Sequence, residues 1–290
     1  MGIKKWIRKL FKVRNRESFR DAVDRYRTKA GKLLFRKKYS CDELKTAIER
    51  AGLGEGDTVL VHASWRNFYN FTGTPEDVIN ILWSIVGNTG TIMMPCYGSD
   101  RSMLDIRGTP SAAGVLSETF RKTDGVQRSL CTHFTVAAKG KKAEQLIREH
   151  QKSSYGFDRH SPCFRLASVP KAKVLFLGLG KKPTKISIFH CAGAMLRDED
   201  PKLQKLLSKH YQSVLIDEDG VEHKKDMVIR IPGHGNNEKV FREILSTLQS
   251  KKAEKLSNLN IVTIGAEEAL NRAVEAARAG RYCYKNMNSL

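Results

Sequence analysis

The chain has 290 residues, 40% of them hydrophobic and 28% charged, which suits a globular protein of one large domain or two small ones. No apolar run approaches the roughly 18 residues that cross a bilayer, and the short, basic N-terminal stretch is unlike a cleavable secretory signal. The formal charge is +20, and residues 1–40, with 15 Lys and Arg against 3 Asp and Glu, supply +12 of it. Six cysteines with no C-x-x-C pair argue against a zinc site or a disulfide framework and suit a reducing cytoplasm.

In chain order, Ile3, Trp6, Ile7, Leu10 and Phe11 in "MGIKKWIRKLFKVRNR" recur at the spacing of one helix face, with Lys4, Lys5, Arg8, Lys9 and Lys12 around the rest. Residues 1–15 therefore predict a basic amphipathic helix suited to an anionic membrane surface, which would place a cytoplasmic protein peripherally on the inner face of the cell membrane. The same stripe packed on the body or on a second subunit is the alternative, which leaves a homo-oligomer open. Nucleic acid is the weakest reading, since base-reading motifs are missing. Residues 12–40 read as a further charged helix broken near Gly31, so the expected division is a basic extension over 1–40 and a body over 41–290.

The body alternates strand and helix signals. Ser40 caps a helix that ends at Gly52, "DTVLVHAS" (57–64) is a buried strand, and Thr74, Pro75 and Gly87 bracket a second helix. Strand 90–98, helix 111–122, strands 133–140, 173–180, 213–220 and 225–232, and helices 239–252 and 266–280 follow. This order predicts an α/β fold: a central mixed or largely parallel sheet flanked by helices, with ligands beyond the strand ends.

The loops at those ends form an ordered series: "DTVLVHASWRNF", "GNTGTIMMPCYG", "GTPSAAGVLSETFRKTDGVQRSLCTHFTVAAKG", "YGFDRHSPCFRL", "KVLFLGLGKKPTKISIFHCAG" and "TIGAEEALNRAVEAA". Over about residues 45–280 this series resembles the aminoglycoside 3-N-acetyltransferase family, the T-P-S…G-x-L-x-E-x-F-R…R-S element being its most specific part. The resemblance implies acetyl transfer from acetyl-coenzyme A to an amine of an amino sugar, with no metal. Carried over by position, it implies cofactor contacts from Ser64, Trp65, Arg66, Ser111, Thr135, Val136 and Ala137, with Ser111 ahead of a helix N-terminus that would hold an anion. Backbone donors near Thr135 would face the oxyanion. His190, a lone imidazole in the apolar run "SIFHCAGAML" and otherwise read as a core residue, falls on the family's Leu-His-x-Ala-Glu element. There it is expected to be the base that deprotonates the acceptor amine in a direct transfer.

Two departures bear on the chemistry. The family's Glu is Gly193 here, so a carboxylate for the imidazole must come from elsewhere, Asp198, Glu199 and Asp200 being nearest, or be absent. Cys131 stands where the family often has His, with His133 two residues on. An acyl-cysteine at Cys131 or Cys191 is the lesser reading, against small buried residues. His62 is expected to be structural, Ser161-Pro162 a turn, and His234 part of an exposed turn between glycines. A body at +8 without that Glu suits an amino sugar bound to a nucleotide or lipid carrier, or an acidic glycan, better than a polycationic antibiotic. The leading expectation is therefore surface-polysaccharide or lipid-linked glycan assembly. An aminoglycoside-modifying enzyme, or a binding protein of this fold that has lost the chemistry, are the alternatives.

Overall fold

The computed structural model describes residues 19–290. The expected amphipathic helix and membrane contact of residues 1–15 lie outside them. Helix α1 (Phe19–Leu34) runs through Gly31 rather than breaking there. A Cβ at Gly31 would stand against the Tyr69 hydroxyl, so the glycine permits close packing of helix on body. The segment after it is built into the body. Tyr39 is 1% exposed, its N–H donates to the Asn70 carbonyl at 3.0 Å, and its own carbonyl accepts from Thr72 N–H at 3.1 Å. Packed structure thus continues on both sides of position 40.

Helix α2 (Cys41–Arg50) starts in a capping box between Ser40 and Glu43. Helix α3 (Pro75–Val86) starts in another between Thr74 and Asp77, with Pro75 in the first turn, where a missing N–H costs nothing. Strands β1 (Thr58–Ala63), β2 (Thr91–Pro95) and β6 (Lys173–Leu177) are buried runs. β1 pairs in parallel with β2 on one side and β6 on the other. Antiparallel β5 (Val136–Gly140) and β4 (Gln127–Arg128) extend one edge, and β10 (Leu259–Gly265) and β9 (Lys252–Leu256) the other, giving the order β4-β5-β2-β1-β6-β10-β9. The sheet is mixed and flanked by helices on both faces, as expected.

Alternate strand residues feed two cores, which is what a period of two demands of a sheet covered on both sides. Val59, Val61, Ile92, Met94, Leu175 and Leu177 pack with α2, α3 and α4 (Val115–Arg121). Leu60, Met93, Val174 and Phe176 pack on the other face. There they meet α6 (Pro162–Ala167), α7 (Phe189–Met195), α9 (Glu238–Thr247) and α10 (Ala266–Arg278), which follow α5 (Ala143–Ile147) and surround α8 (Pro201–Leu206).

The strands expected at 213–220 and 225–232 form β7 (Lys209–Ile216) and β8 (Glu222–Ile229), a hairpin joined in a separate sheet by β3 (Met103–Asp105). The offset arises because Asp217 to Gly220 turn the chain: Asp217 Oδ1 accepts from Asp219 and Val221 N–H, and Gly220 takes φ +83°. Among the described residues no helix is long and apolar enough to cross a membrane. If residues 35–40 belong to the cooperative unit, Tyr39→Ala will cost about 3–5 kcal/mol, read as a lower midpoint in urea unfolding. A midpoint unchanged from the parent protein would separate that segment from the body.

Candidate active site

Three chain segments leave the central sheet at one edge, the C-terminal ends of β2, β1 and β6, and the loops that follow them wall a cleft of about 1370 Å³. A pocket for one small ligand runs to roughly 300–1,000 Å³, and this cleft is larger. Its floor is held by short polar contacts. Ser64 N–H donates to the Leu177 carbonyl at 2.9 Å, and Asn67 Nδ2 donates to the Gly178 carbonyl at 2.6 Å. Gly178 needs to be glycine, at φ +72° with Asn67 Cβ 3.0 Å from where a Cβ would sit.

Of the residues expected to contact a cofactor, Ser64, Trp65 and Arg66 line the cleft, as does His190. The others do not. Thr135 is fully buried and its hydroxyl donates to the Cys131 carbonyl. Val136 N–H donates to Ser129 Oγ at 2.9 Å, and Ala137 is fully buried in the β5 pairing with β2 and β4. Of the backbone donors expected to face the oxyanion near Thr135, Val136 N–H is therefore committed to Ser129. Ser111 is also corrected. Helix α4 begins only at Val115, and Ser111 N–H donates at 2.7 Å to Glu118 Oε2, which also accepts from Arg121 Nε at 2.9 Å. The carboxylate, held at about 2 chiefly by its Arg121 hydrogen bond, already occupies the place expected for an anion. The T-P-S…E-x-F-R element is thus a clamp on the loop. Arg128 completes it by donating to the carbonyls of Thr109 and Cys96.

His190 sits on the short helix α7 with its ring in the cleft wall, 5.0 Å from the Phe157 ring and 5.6 Å from that of Tyr284. Its Nδ1 lies 3.2 Å from the Tyr284 hydroxyl. Burial, then the Arg230 charge, lowers its pKa to about 3, which favours the neutral ring. Gly193 explains what replaced the carboxylate. A Cβ there would lie 3.1 Å from both Cε2 and the hydroxyl of Tyr284, so the missing side chain gives its space to that phenol. Asp200 is occupied elsewhere, capping α8 and accepting from the Tyr282 hydroxyl at 2.6 Å, and Glu199 pairs with Arg278.

The remaining histidines and thiols also find places. His62 stacks on Phe176 at 5.5 Å beneath the cleft, with Nε2 buried and unpartnered. His133 lines the cleft and accepts at Nδ1 from Gly156 N–H at 3.3 Å; burial and Arg101 bring it to about 3. Burial pushes the Cys131 thiol up to about 11 and Cys191 well above its ordinary value, so neither is a ready nucleophile. Ser161-Pro162 is the N-terminal cap of α6. His234 is 8% exposed rather than in an open turn, with Nδ1 3.0 Å from the Lys285 carbonyl. Among the described residues no group of three or more His, Cys, Asp and Glu could hold a metal ion.

Charge in the cleft is one-sided. Arg66, Arg101, Lys182, Lys185, Arg230 and Arg242 line it, and among the described lining residues Glu238 is the single carboxylate, 2.8 Å from Arg242. Sequence reading passed over Arg101, Arg230, Tyr155 and Tyr284. The arginines belong to no motif, and Tyr284 comes from a C-terminal segment that returns to the site from far along the chain.

A mixed α/β sheet flanked by helices, with a large cleft beyond its parallel strand ends and a histidine in the wall, describes the class. Residues 60–278 match the family model described as aminoglycoside 3-N-acetyltransferase, and the chain belongs to that family. It is 33% identical over 143 residues to aminoglycoside N(3)-acetyltransferase IV of a Salmonella species, a match covering 48% of this chain and 53% of that one. The chain spans about half the length of the curated relatives it matches. Among solved structures, AAC-IIIb in a binary complex with CoASH superposes with a TM-score of 0.69 at 19% identity, over 84% of this chain and 98% of that one. AAC-VIa bound to sisomicin gives 0.71 at 19% identity, over 84% and 99%. These two likenesses establish the fold.

Two outcomes follow. His62 and His150, 8% and 0% exposed, have pKa values lowered by burial to about 4 and about 3, against about 6.5 in an unfolded chain. The unfolded state binds more protons below pH 6.5, so the stability present above that pH is lost as the pH falls, by up to about 1.4 kcal/mol per pH unit for each histidine. The melting temperature should drop between pH 7 and pH 5; a flat profile would contradict neutral buried imidazoles. Gly193→Ala should push Tyr284 off its seat and cost about 1–3 kcal/mol, measured by chemical denaturation.

Proposed function

We propose that the protein is an N-acetyltransferase that moves the acetyl group of acetyl-coenzyme A to a primary amine of an amino sugar. The observation that carries this reading is a cleft large enough for donor and acceptor together, with His190 in its wall, on a chain of this family. The names of the relatives, and the CoASH held by AAC-IIIb, support the donor and the kind of acceptor. In the reaction the amine nitrogen adds to the thioester carbonyl, the C–S bond breaks, an amide forms, and coenzyme A leaves as the thiol with a proton that began on nitrogen. A neutral imidazole serves such a step in one of two ways: through a bare nitrogen that takes the amine proton, or through an N–H that holds the developing oxyanion. Ser64, Trp65 and Arg66, at the end of β1, are proposed to hold the cofactor.

The relatives make an aminoglycoside the first acceptor to test, ahead of the expected surface-glycan intermediate. One observation favours a second reading. Six cations against one paired carboxylate repel a polycationic drug more than they are needed by the phosphates of coenzyme A. That surplus fits an amino sugar carrying its own anion, such as a nucleotide-linked or acidic one from glycan assembly. Residues 41–290 are read as the catalytic body, and residues 1–15 as the segment that would bring it to an anionic membrane.

Thiol release from acetyl-coenzyme A, measured with sisomicin and with a uridine-diphosphate amino sugar and followed by mass spectrometry of the product, tests the reading. Acetylated product from either acceptor supports transfer, and its absence from both rejects it. A higher kcat/KM for sisomicin rejects the anionic acceptor. His190→Ala should lower kcat at least a hundredfold while the Kd for coenzyme A changes less than threefold. Removing residues 1–15 should release the protein from phosphatidylserine vesicles; undiminished binding would discard the anchor.

A further inference from the structure

We infer that Tyr284 is the positioning residue for His190 and fixes the ring with its proton on Nε2, so that the imidazole presents an N–H, rather than a bare nitrogen, to the cleft. This rests on the transferase reading for its catalytic meaning but not for its geometry.

The inference comes from counting donors along a line of three side chains that ends at the cleft. Tyr284 is 3% exposed and Tyr155 5%. Their hydroxyls are 3.5 Å apart, and that of Tyr284 is 3.2 Å from His190 Nδ1. Among the described residues neither hydroxyl has another hydrogen-bond partner, and Nε2 of His190 has none. Three hydrogens must be placed on this line. If Tyr155 donates to Tyr284 and Tyr284 donates to Nδ1, every buried hydroxyl is satisfied and the remaining proton sits on Nε2, facing the cleft. If Nδ1–H donates to Tyr284 and Tyr284 to Tyr155, the proton of the Tyr155 hydroxyl finds no acceptor on this line and must turn to the cleft that Tyr155 lines. Intrinsic strengths point the same way, since a phenol is the better donor and an imidazole nitrogen the better acceptor.

The surroundings hold this arrangement in place. Arg230 lies 5.0 Å from the centroid of the Tyr284 ring, with its Nη1 donating to Asn236 at 2.8 Å. Its charge acts on His190, and the cation resists a second proton on the imidazole. Burial keeps the Tyr284 phenol protonated. A carboxylate at position 193 would have accepted from Nδ1–H and left Nε2 bare; Gly193 instead admits the phenol and turns the ring's polarity round. In acetyl transfer, Nε2–H then donates to the carbonyl oxygen as it becomes an oxyanion, and the ring gives up no proton. The acceptor enters as the free amine, its nitrogen bonds to the carbonyl carbon, the C–S bond breaks, and the proton shed by nitrogen passes through water to the sulfur.

The test is the 15N spectrum of histidine-labelled protein, with His190 assigned by its disappearance in His190→Asn. A pyrrole-type Nε2 with a pyridine-type Nδ1 is expected, and the reverse pattern overturns the inference. Tyr284→Phe keeps the ring and removes the donor. The two nitrogens should then move toward intermediate shifts, and kcat for sisomicin acetylation should fall at least tenfold with the Kd for coenzyme A within twofold. An unchanged spectrum and kcat would overturn it. Gly193→Glu combined with Tyr284→Ala places a carboxylate one helical turn from His190 and should transfer the proton to Nδ1; a ring that stays Nε2–H rejects Tyr284 as the cause. If wild-type protein acetylates nothing, the transferase reading fails, while the spectrum still decides the tautomer.

Discussion

Strand β1 is hydrogen-bonded in parallel on both of its edges, to β2 and to β6. Parallel neighbours must end together, so three loops are delivered to the same edge of the sheet, and nothing about the cleft would exist without that alignment. Ser64 to Asn67, Tyr97 to Arg101 and Gly178 to Lys185 come from sequence positions far apart and meet there because their strands stop in register. The inter-loop bonds from Ser64 and Asn67 to Leu177 and Gly178 then turn loop ends into a rigid floor.

The second constraint is the return of the chain end. Asn237 N–H donates to the Cys283 carbonyl and Lys285 N–H to that of Gly235, a short clasp that holds Tyr284 between α7 and Arg230. A residue beyond the last family-matched position thereby occupies the space left by Gly193 in the middle of the matched region. The partner of His190 is therefore a phenol brought in from the chain end. A neutral hydroxyl at this place leaves the Arg230 charge unopposed beside the ring, in a cleft in which cations predominate among the described residues.

The motif that carried the resemblance most strongly has a structural task. Glu118 ties Ser111 to Arg121, and Arg128 ties Cys96 to Thr109, so the T-P-S…R-S element fixes the loop that forms one wall, with Ser117 rather than Ser111 lining the cleft. Thr135 has the same lesson. Short polar side chains recur at such positions both when they bind ligands and when they satisfy buried backbone, and the two uses look alike along a chain.

Sequence alone determined the local elements whose causes are local: the capped helices at Ser40 and Thr74, the β-branched and Leu-rich strands β1 and β6, and an alternation that demands a sheet covered on both faces. It also set the ordered loops that resemble the family, and the place of Ser64, Trp65 and Arg66 at the end of β1. Tertiary structure decided the rest. It sent 209–229 into a second sheet, carried α1 straight through Gly31, buried His234, and withdrew Ser111, Thr135, Val136 and Ala137 from the cleft. It also chose Tyr284 as the partner of His190. The physical reason is common to all of these: whether a polar group faces a ligand or a neighbour depends on contacts between segments distant in the chain, and residue type and spacing do not encode those distances.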